Sequence, residues 1–237
     1  MTALSVNVNK IATLRNSRGA DFPNVIKVAQ DLEKMGAQGI TIHPRPDERH
    51  IRYQDARDLK SIVTTEFNIE GNPIQKFIDL VLECSPTQVT LVPDAVDAIT
   101  SNSGWDTIKN KSFLEEVISE FKSNGIRTSI FVDPVMEMVE GAKGLGTDRI
   151  ELYTEAYAKG YSEGNKDAIK PYIDVALLAN DLHLGINAGH DLSLDNIEFF
   201  KDSIPELLEV SIGHALIAES LYLGFETVIR QYLEKLA

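Results

Sequence analysis

Two kinds of apolar pattern alternate along the chain. Short, near-continuous apolar runs lie at residues 4–8, 39–43, 65–69, 88–92, 127–132, 149–152, 183–186 and 209–212. Runs with no polar face predict strands covered on both sides, as in a parallel sheet. Between them stand segments with helical spacing, at 25–35, 74–82, 113–124, 166–182 and 195–201. Gly36, Gly125 and Gly146 follow such patterns, where a helix stop favours left-handed backbone. Eight alternations predict an α/β chain forming a single (β/α)8 barrel over residues 1–237. A flavodoxin-like sheet of about five or six strands would leave about a quarter of the chain unassigned. Two stretches exceed what a barrel requires, 9–21 after the first strand and 93–111 after the fourth. Both are read as loop insertions on the catalytic face, where long connections serve as binding loops or lids.

Composition changes this picture little. With 43% hydrophobic and 25% charged residues, a chain of 237 residues buries its own core without staples. The single cysteine, Cys84, excludes an intrachain disulfide and a cysteine-rich metal site, and reads as a small buried hydrophobe. The first residues lack the long apolar core of a signal peptide, and no apolar stretch reaches membrane-spanning length. The expectation is a cytoplasmic protein. A net charge of −13 argues against nucleic acid and anionic membranes as partners, because phosphate backbones need a basic face. It leaves room for a small phosphorylated substrate held by a local cationic cluster.

In a barrel the chemistry gathers at the C-terminal strand ends. There the sequence places Asn7, Asn9 and Lys10, then His43 and Arg45, Glu70, Asp94, Asp133, Glu151, His190, and Gly213 with His214. Of five histidines, His43, His190 and His214 fall at these ends, His50 follows in the same loop as His43, and His183 starts a strand. Each has a plain alternative. A histidine at a strand end caps a helix or satisfies a carbonyl, and Glu70 could be an N-cap. Glu151 could pair with Arg149 or Lys143. Yet a carboxylate buried at a strand terminus has a raised pKa suited to general-base work. The Gly189-His190 and Gly213-His214 pairs follow strands seven and eight, offer backbone N–H groups to an anion and open helices, at the common phosphate site of this fold. Lys10, Arg18, Arg45 and His50 would form a second cationic cluster. Two anion sites across one mouth point to two phosphorylated substrates or one bisphosphate. Histidines and carboxylates from separate strands also suit a divalent metal, but no HxH or HExxH spacing occurs, and no metal site is assigned.

Taken in order, NVNK with IATLRNSRG (7–19), GITIHPRPDERHI (39–51), FNIE (67–70), LVPD (91–94), RIELYTEAYA (149–158), NAGHDL (187–192) and IGHALI (212–217) resemble the pyridoxine 5′-phosphate synthase family from end to end. The resemblance implies cofactor-free condensation of 3-amino-2-oxopropyl phosphate with 1-deoxy-D-xylulose 5-phosphate, giving pyridoxine 5′-phosphate, phosphate and water. It implies His43 and Glu70 as proton acceptors, His190 as proton donor, and Glu151 as the group that stabilises the transition state. Asn7, Arg18, Asp191, Gly213 and His214 match positions around the aminoketone phosphate. Asn9, Lys10, Arg45, His50 and Thr100 match positions around the deoxyxylulose phosphate. A homo-oligomer, up to an octamer, is also implied.

Two positions depart from the family pattern. Asn9-Lys10 stand where many members carry Asp-His, which keeps a cation but removes a carboxylate and a titrating ring. Asp191 stands where glycine is common, so its backbone can bind phosphate only with the carboxylate turned away. The competing reading is a phosphosugar aldolase or epimerase; a Schiff-base aldolase would have to use Lys10. A barrel that binds a metabolite without turnover is the non-enzymatic alternative.

Overall fold

Each strand pairs in parallel with its neighbours in sequence, and the last returns to the first. The computed structural model describes residues 1–94 and 103–237. Its strands are β1 (Ala3–Asn7), β2 (Gly39–Ile42), β3 (Glu66–Gly71), β4 (Gln88–Leu91), β5 (Arg127–Val132), β6 (Arg149–Tyr153), β7 (Gly185–Gly189) and β8 (Leu207–Ile212), closed in that order. Ala3–Val6 pair with Glu209–Ile212 to shut the barrel.

Helices pack around it: α1 (Asn9–Asn16), α2 (Val25–Lys34), α3 (Tyr53–Lys60), α4 (Gln75–Cys84), α5 (Lys111–Ser123), α6 (Met136–Gly144), α7 (Glu155–Ser162), α8 (Lys170–Asp181), α9 (Ile197–Ser203), α10 (His214–Leu223) and α11 (Phe225–Leu236). The sheet's outward residues, among them Leu4, Val6, Ile40, Ile69, Val89 and Ile150, are fully buried against these helices. Cys84 is buried in the same layer, as a small hydrophobe.

Three differences from the sequence reading have physical causes. The stretch 9–21 begins as a helix, α1, and not as a loop. Its buried face includes Arg15 beside Ile11 and Ala12, so apolar spacing could not reveal it. The single helical pattern at 166–182 divides into a 3-10 turn (Lys166–Ile169) and α8, with Pro171 in the first turn of α8 where a missing N–H is harmless. His183 starts no strand: it adopts left-handed backbone (φ 57°) just past α8, and β7 begins two residues later. The stretch 93–111 contains residues 95–102, which lie outside the described residues.

The barrel interior is polar. Barrels of this kind usually fill their centre with branched apolar side chains. Here Ser5, Thr41, Asn68, Thr90, Ser129, Glu151 and Asn187 point inward, all at 2% exposure or less. Their hydrogen bonds run across strands: Ser5 and Thr41 share one at 2.7 Å, and Thr90 Oγ1 donates to Asn68 Oδ1 at 3.1 Å. At the N-terminal end Arg127 pairs with Glu66, and Arg149 Nη1 lies 3.3 Å from Glu209 Oε2. Most of these groups satisfy one another, which makes their burial tolerable, whereas Ser129 Oγ and Asn187 Nδ2 find no partner among the described residues. The same strand parity carries Asn7, Glu70, Glu151 and Ser211 into the opposite, C-terminal mouth.

Candidate active site

The mouth holds a cavity of about 440 Å³. Its first wall comes from the ends of β1 and β2. Asn7 closes β1; its Oδ1 accepts from the Asn9 N–H at 3.0 Å, and its Nδ2 donates to Glu70 Oε2 at 3.4 Å. Asn9 in turn accepts the backbone N–H of His43 at 2.9 Å. Lys10 stands exposed on the rim of this wall. Beyond β2, His43 and Arg45 are buried. Arg45 Nη2 donates to Asp94 Oδ2 at 2.5 Å, and His43 Nε2 lies 3.9 Å from the same oxygen. His50 faces His43 edge-on at 6.4 Å between ring centroids. Its Nδ1 accepts from the Ile51 N–H at 2.9 Å, so the neutral ring carries its proton on Nε2.

Glu70 and Glu151 form the floor, at 4% and 1% exposure. Burial pushes the Glu70 carboxyl well above the usual carboxylate range, and the nearby Glu151, Asp94 and Glu209 push it further. Burial also raises Glu151, to about 7. Two carboxyl groups held this way share their protons and titrate as a unit, which places an acid and a base in one site. Gly189 leaves room for this floor: a β-carbon there would sit 2.8 Å from Glu151 Oε1.

The opposite wall carries His190. Its backbone is left-handed (φ 80°), and its ring packs on Phe131 at 4.6 Å and Tyr153 at 5.6 Å. Burial lowers its pKa to about 4, with Arg45 adding to the effect. His50 falls to about 4 and His43 well below its ordinary value, again chiefly through burial and then Arg45. The three imidazoles are therefore neutral near pH 7. At the end of β8, Gly213 precedes His214, the first residue of α10, whose free N–H groups face the mouth. Asp191 completes this side; burial and the neighbouring Glu155 raise its pKa, and His214 partly offsets them.

The cavity thus gathers Asn7, Asn9, Lys10, His43, Arg45 and His50 from one side with Glu70, Glu151, His190, Asp191, Gly213 and His214 from the other. Arg18 is exposed beyond the end of α1 and does not line it, and Thr100 lies outside the described residues. Gly189-His190 opens no helix, since α9 starts only at Ile197; Gly213-His214 does. Glu151 pairs with neither Arg149 nor Lys143. Arg149 sits at the other end of β6, bound to Asn187 and Glu209, and Glu151 instead faces His190. Tyr153, Glu155 and Ser211 also line the cavity. Strand parity signalled Ser211, two residues before Gly213, but nothing in the sequence marked the Tyr153–Glu155 hydrogen bond of 2.6 Å. Among the described residues no group of three or more His, Cys, Asp and Glu side chains is placed to hold a metal ion.

A model of the family described as "Pyridoxal phosphate biosynthesis protein PdxJ" matches residues 4–237. The chain belongs to that family. It is 73% identical over 236 residues to the pyridoxine 5′-phosphate synthase of Flavobacterium johnsoniae and 67% identical over 236 residues to that of Christiangramia forsetii, in both cases over 100% of each chain. Two solved structures resemble it in fold alone. A 3-keto-L-gulonate-6-phosphate decarboxylase from Vibrio cholerae superposes with a TM-score of 0.67 at 7% identity, over 99% of this chain and 97% of that one. A thiamine phosphate pyrophosphorylase from Pyrococcus furiosus gives 0.65 at 10% identity, over 99% and 95%. Within the family, two full-length relatives thus share most of this chain's residues, whereas the solved structures share only its barrel.

Proposed function

We infer that this family member is a pyridoxine 5′-phosphate synthase, condensing 3-amino-2-oxopropyl phosphate with 1-deoxy-D-xylulose 5-phosphate to pyridoxine 5′-phosphate, phosphate and water. The observation that carries the reading is the pairing of Glu70 and Glu151 in a buried floor between two anion-receptive walls. Imine formation, loss of water and ring closure each move protons, with no net electron transfer. Several acid–base groups around one cavity meet that need.

In this reading the free N–H groups at Gly213 and His214 hold the aminoketone phosphate, with Asn7 and the Asp191 backbone beside them. Asn9, Lys10, Arg45 and His50 hold the deoxyxylulose phosphate, His50 as a neutral Nε2–H donor. Arg18 and Thr100 remain assigned to these two substrates by family resemblance. The ammonium of the aminoketone brings positive charge to the floor and favours ionised carboxyl groups. Glu70 then takes protons from nitrogen and carbon, and His43 takes a second. His190 returns a proton to the departing hydroxyl or phosphate, and Glu151, 4.0 Å from its Nδ1, stabilises the charge that develops. Mixing purified protein with both phosphates and measuring pyridoxine 5′-phosphate fluorescence and released phosphate tests the reading; absence of both overturns it.

We also place the protein in the cytoplasm as a homo-oligomer. Supporting this, Leu221 and Tyr222 on α10 and Phe22 before α2 are 76%, 90% and 82% exposed, apolar surface that a second copy would cover. Among the described residues no helix is long and apolar enough to cross a membrane. Light scattering in solution measures the assembly.

A further inference from the structure

We propose that Arg15, which does not line the cavity, is a positioning residue: it fixes His50 relative to Lys10 and thereby sets affinity on one side of the site. The proposal rests on the functional reading above for the identity of the ligand.

Arg15 is among the largest fully buried side chains in the molecule, at 2% exposure. A buried guanidinium must be paired and hydrogen-bonded to persist. Its Nη1 and Nη2 grip the two oxygens of Asp55 at 2.6 and 2.9 Å, the bidentate geometry that only arginine offers. Its Nη2 also donates to the carbonyl of His50 at 3.2 Å, and its Nε to Asn16 Oδ1 at 3.1 Å. Asn16 repeats the contact, donating to the same His50 carbonyl at 2.8 Å. Asp55 meanwhile accepts the Arg52 N–H at 2.7 Å and so caps α3.

These bonds close around a segment with no regular structure of its own. Between β2 and α3 the chain runs through His43 to Arg52 without strand or helix, and Glu48 takes left-handed backbone (φ 52°). The start of α1 is tied to the beginning of this segment by Asn9 and the His43 N–H. Its end is tied to the far part by Arg15 and Asn16 through His50. The helix therefore straps the segment at both ends. The orientation of the His50 ring depends on residues 50 and 51, because the Ile51 N–H holds its Nδ1. Lys10 rides on the first turn of the same helix. Releasing Arg15 leaves Asn16 alone to hold the His50 carbonyl and loosens His50 relative to Lys10, while Glu70, Glu151 and Gly213, carried by other strands, stay in place.

A purely structural ion pair would predict something else, and the two are separable. Arg15→Met alone leaves Asp55 as an unpaired buried charge and lowers stability. Arg15→Met with Asp55→Asn removes both charges and keeps an acceptor for the Arg52 N–H, so folding is largely restored, but the Arg15 bond to the His50 carbonyl is gone and the Asn16 bond holds it alone. For the double variant we expect KM for 1-deoxy-D-xylulose 5-phosphate to rise about tenfold, with kcat and the aminoketone KM within about threefold of wild type. Arg15→Lys, which keeps the charge without the fork, should fall between. Calorimetric Kd values for 1-deoxy-D-xylulose 5-phosphate alone give the same comparison without turnover. A wild type that binds this ligand yet forms no product therefore defeats the functional reading while the Kd ratio still tests Arg15. Melting temperature and both KM values restored together in the double variant, or both KM values raised equally, overturn the inference.

Discussion

Nδ1 of His190 stands 4.0 Å from Oε1 of Glu151 and has no hydrogen-bond partner among the described residues. The separation is too long for a hydrogen bond and short enough for strong Coulomb coupling in a desolvated site. Burial penalises the charged form of either group, so below about pH 7 and above about pH 4 both are neutral. A single proton passed toward His190 converts the pair into imidazolium and carboxylate, which stabilise one another. The pair is thus uncharged in that range, a state that a charged substrate can switch.

Replacing Glu70 by glutamine keeps size and hydrogen bonding to Asn7 but removes the proton acceptor. Turnover should fall by roughly two to four orders of magnitude, the usual scale for one general base, with the fold unchanged. Steady-state kinetics beside a circular dichroism spectrum checks this. Near-wild-type turnover would make Glu70 a structural carboxyl.

Glu151 links activity to stability. In the folded protein it keeps its proton up to about pH 7, whereas in the unfolded chain it ionises near its ordinary value of 4.5. Between those values the unfolded chain gains by ionising and the folded one does not. Stability therefore falls as pH rises through this window, by on the order of 3 kcal/mol in total. Glu151→Gln lacks that loss. Its melting temperature should exceed that of wild type by roughly 5 °C or more at pH 8 and match it near pH 4.5, while turnover drops about a hundredfold. Equal melting temperatures at both pH values would mean that Glu151 is ionised in the native state.

Gly189→Ala tests whether the floor tolerates displacement. The added carbon would lie 2.8 Å from Glu151 Oε1 and 3.0 Å from the Ser211 carbonyl, so the carboxyl must move. A misplacement near 1 Å at a reacting centre lowers kcat by about a hundredfold, with KM changing much less. Unaltered kcat would show that the Glu151 position is not critical.

Lys10→Met removes a point charge that acts on ground and transition states alike. KM for 1-deoxy-D-xylulose 5-phosphate should rise about ten- to a hundredfold, or ~1.4–2.7 kcal/mol, with kcat little changed. The aminoketone KM should stay close to wild type, because that phosphate is assigned to the wall formed by Gly213 and His214. A collapse of kcat, or substrate trapped on Lys10 by borohydride, would point to Schiff-base chemistry.

Much of the site was legible before any fold was in hand, because strand ends in a barrel converge. Alternation alone sends Asn7, Glu70 and Glu151 to the same side of their strands, and closure of eight strands brings them to one mouth. The glycine-histidine pair at Gly213 announced a helix start at the mouth in the same way. One element was missed because a polar group is buried by a partner distant in sequence. α1 hid behind its own polarity because its buried face includes Arg15, and the pairing partner Asp55 lies 40 residues away.

The sequence by itself therefore determined the number of β/α units, the order of the strands and the set of groups at their ends. These follow from local periodicity, which needs no knowledge of neighbours. Tertiary structure decided which of two nearby arginines is buried, Arg15 and not Arg18, since only contact with Asp55 and the His50 carbonyl distinguishes them. It also decided that Glu151 faces His190 while Arg149 faces Glu209. Those two residues of β6 share one face but lie two positions apart, about 6.6 Å along the strand. That distance separates the ion pairs closing the bottom of the barrel from the carboxyl groups at its mouth, and burial then sets their protonation.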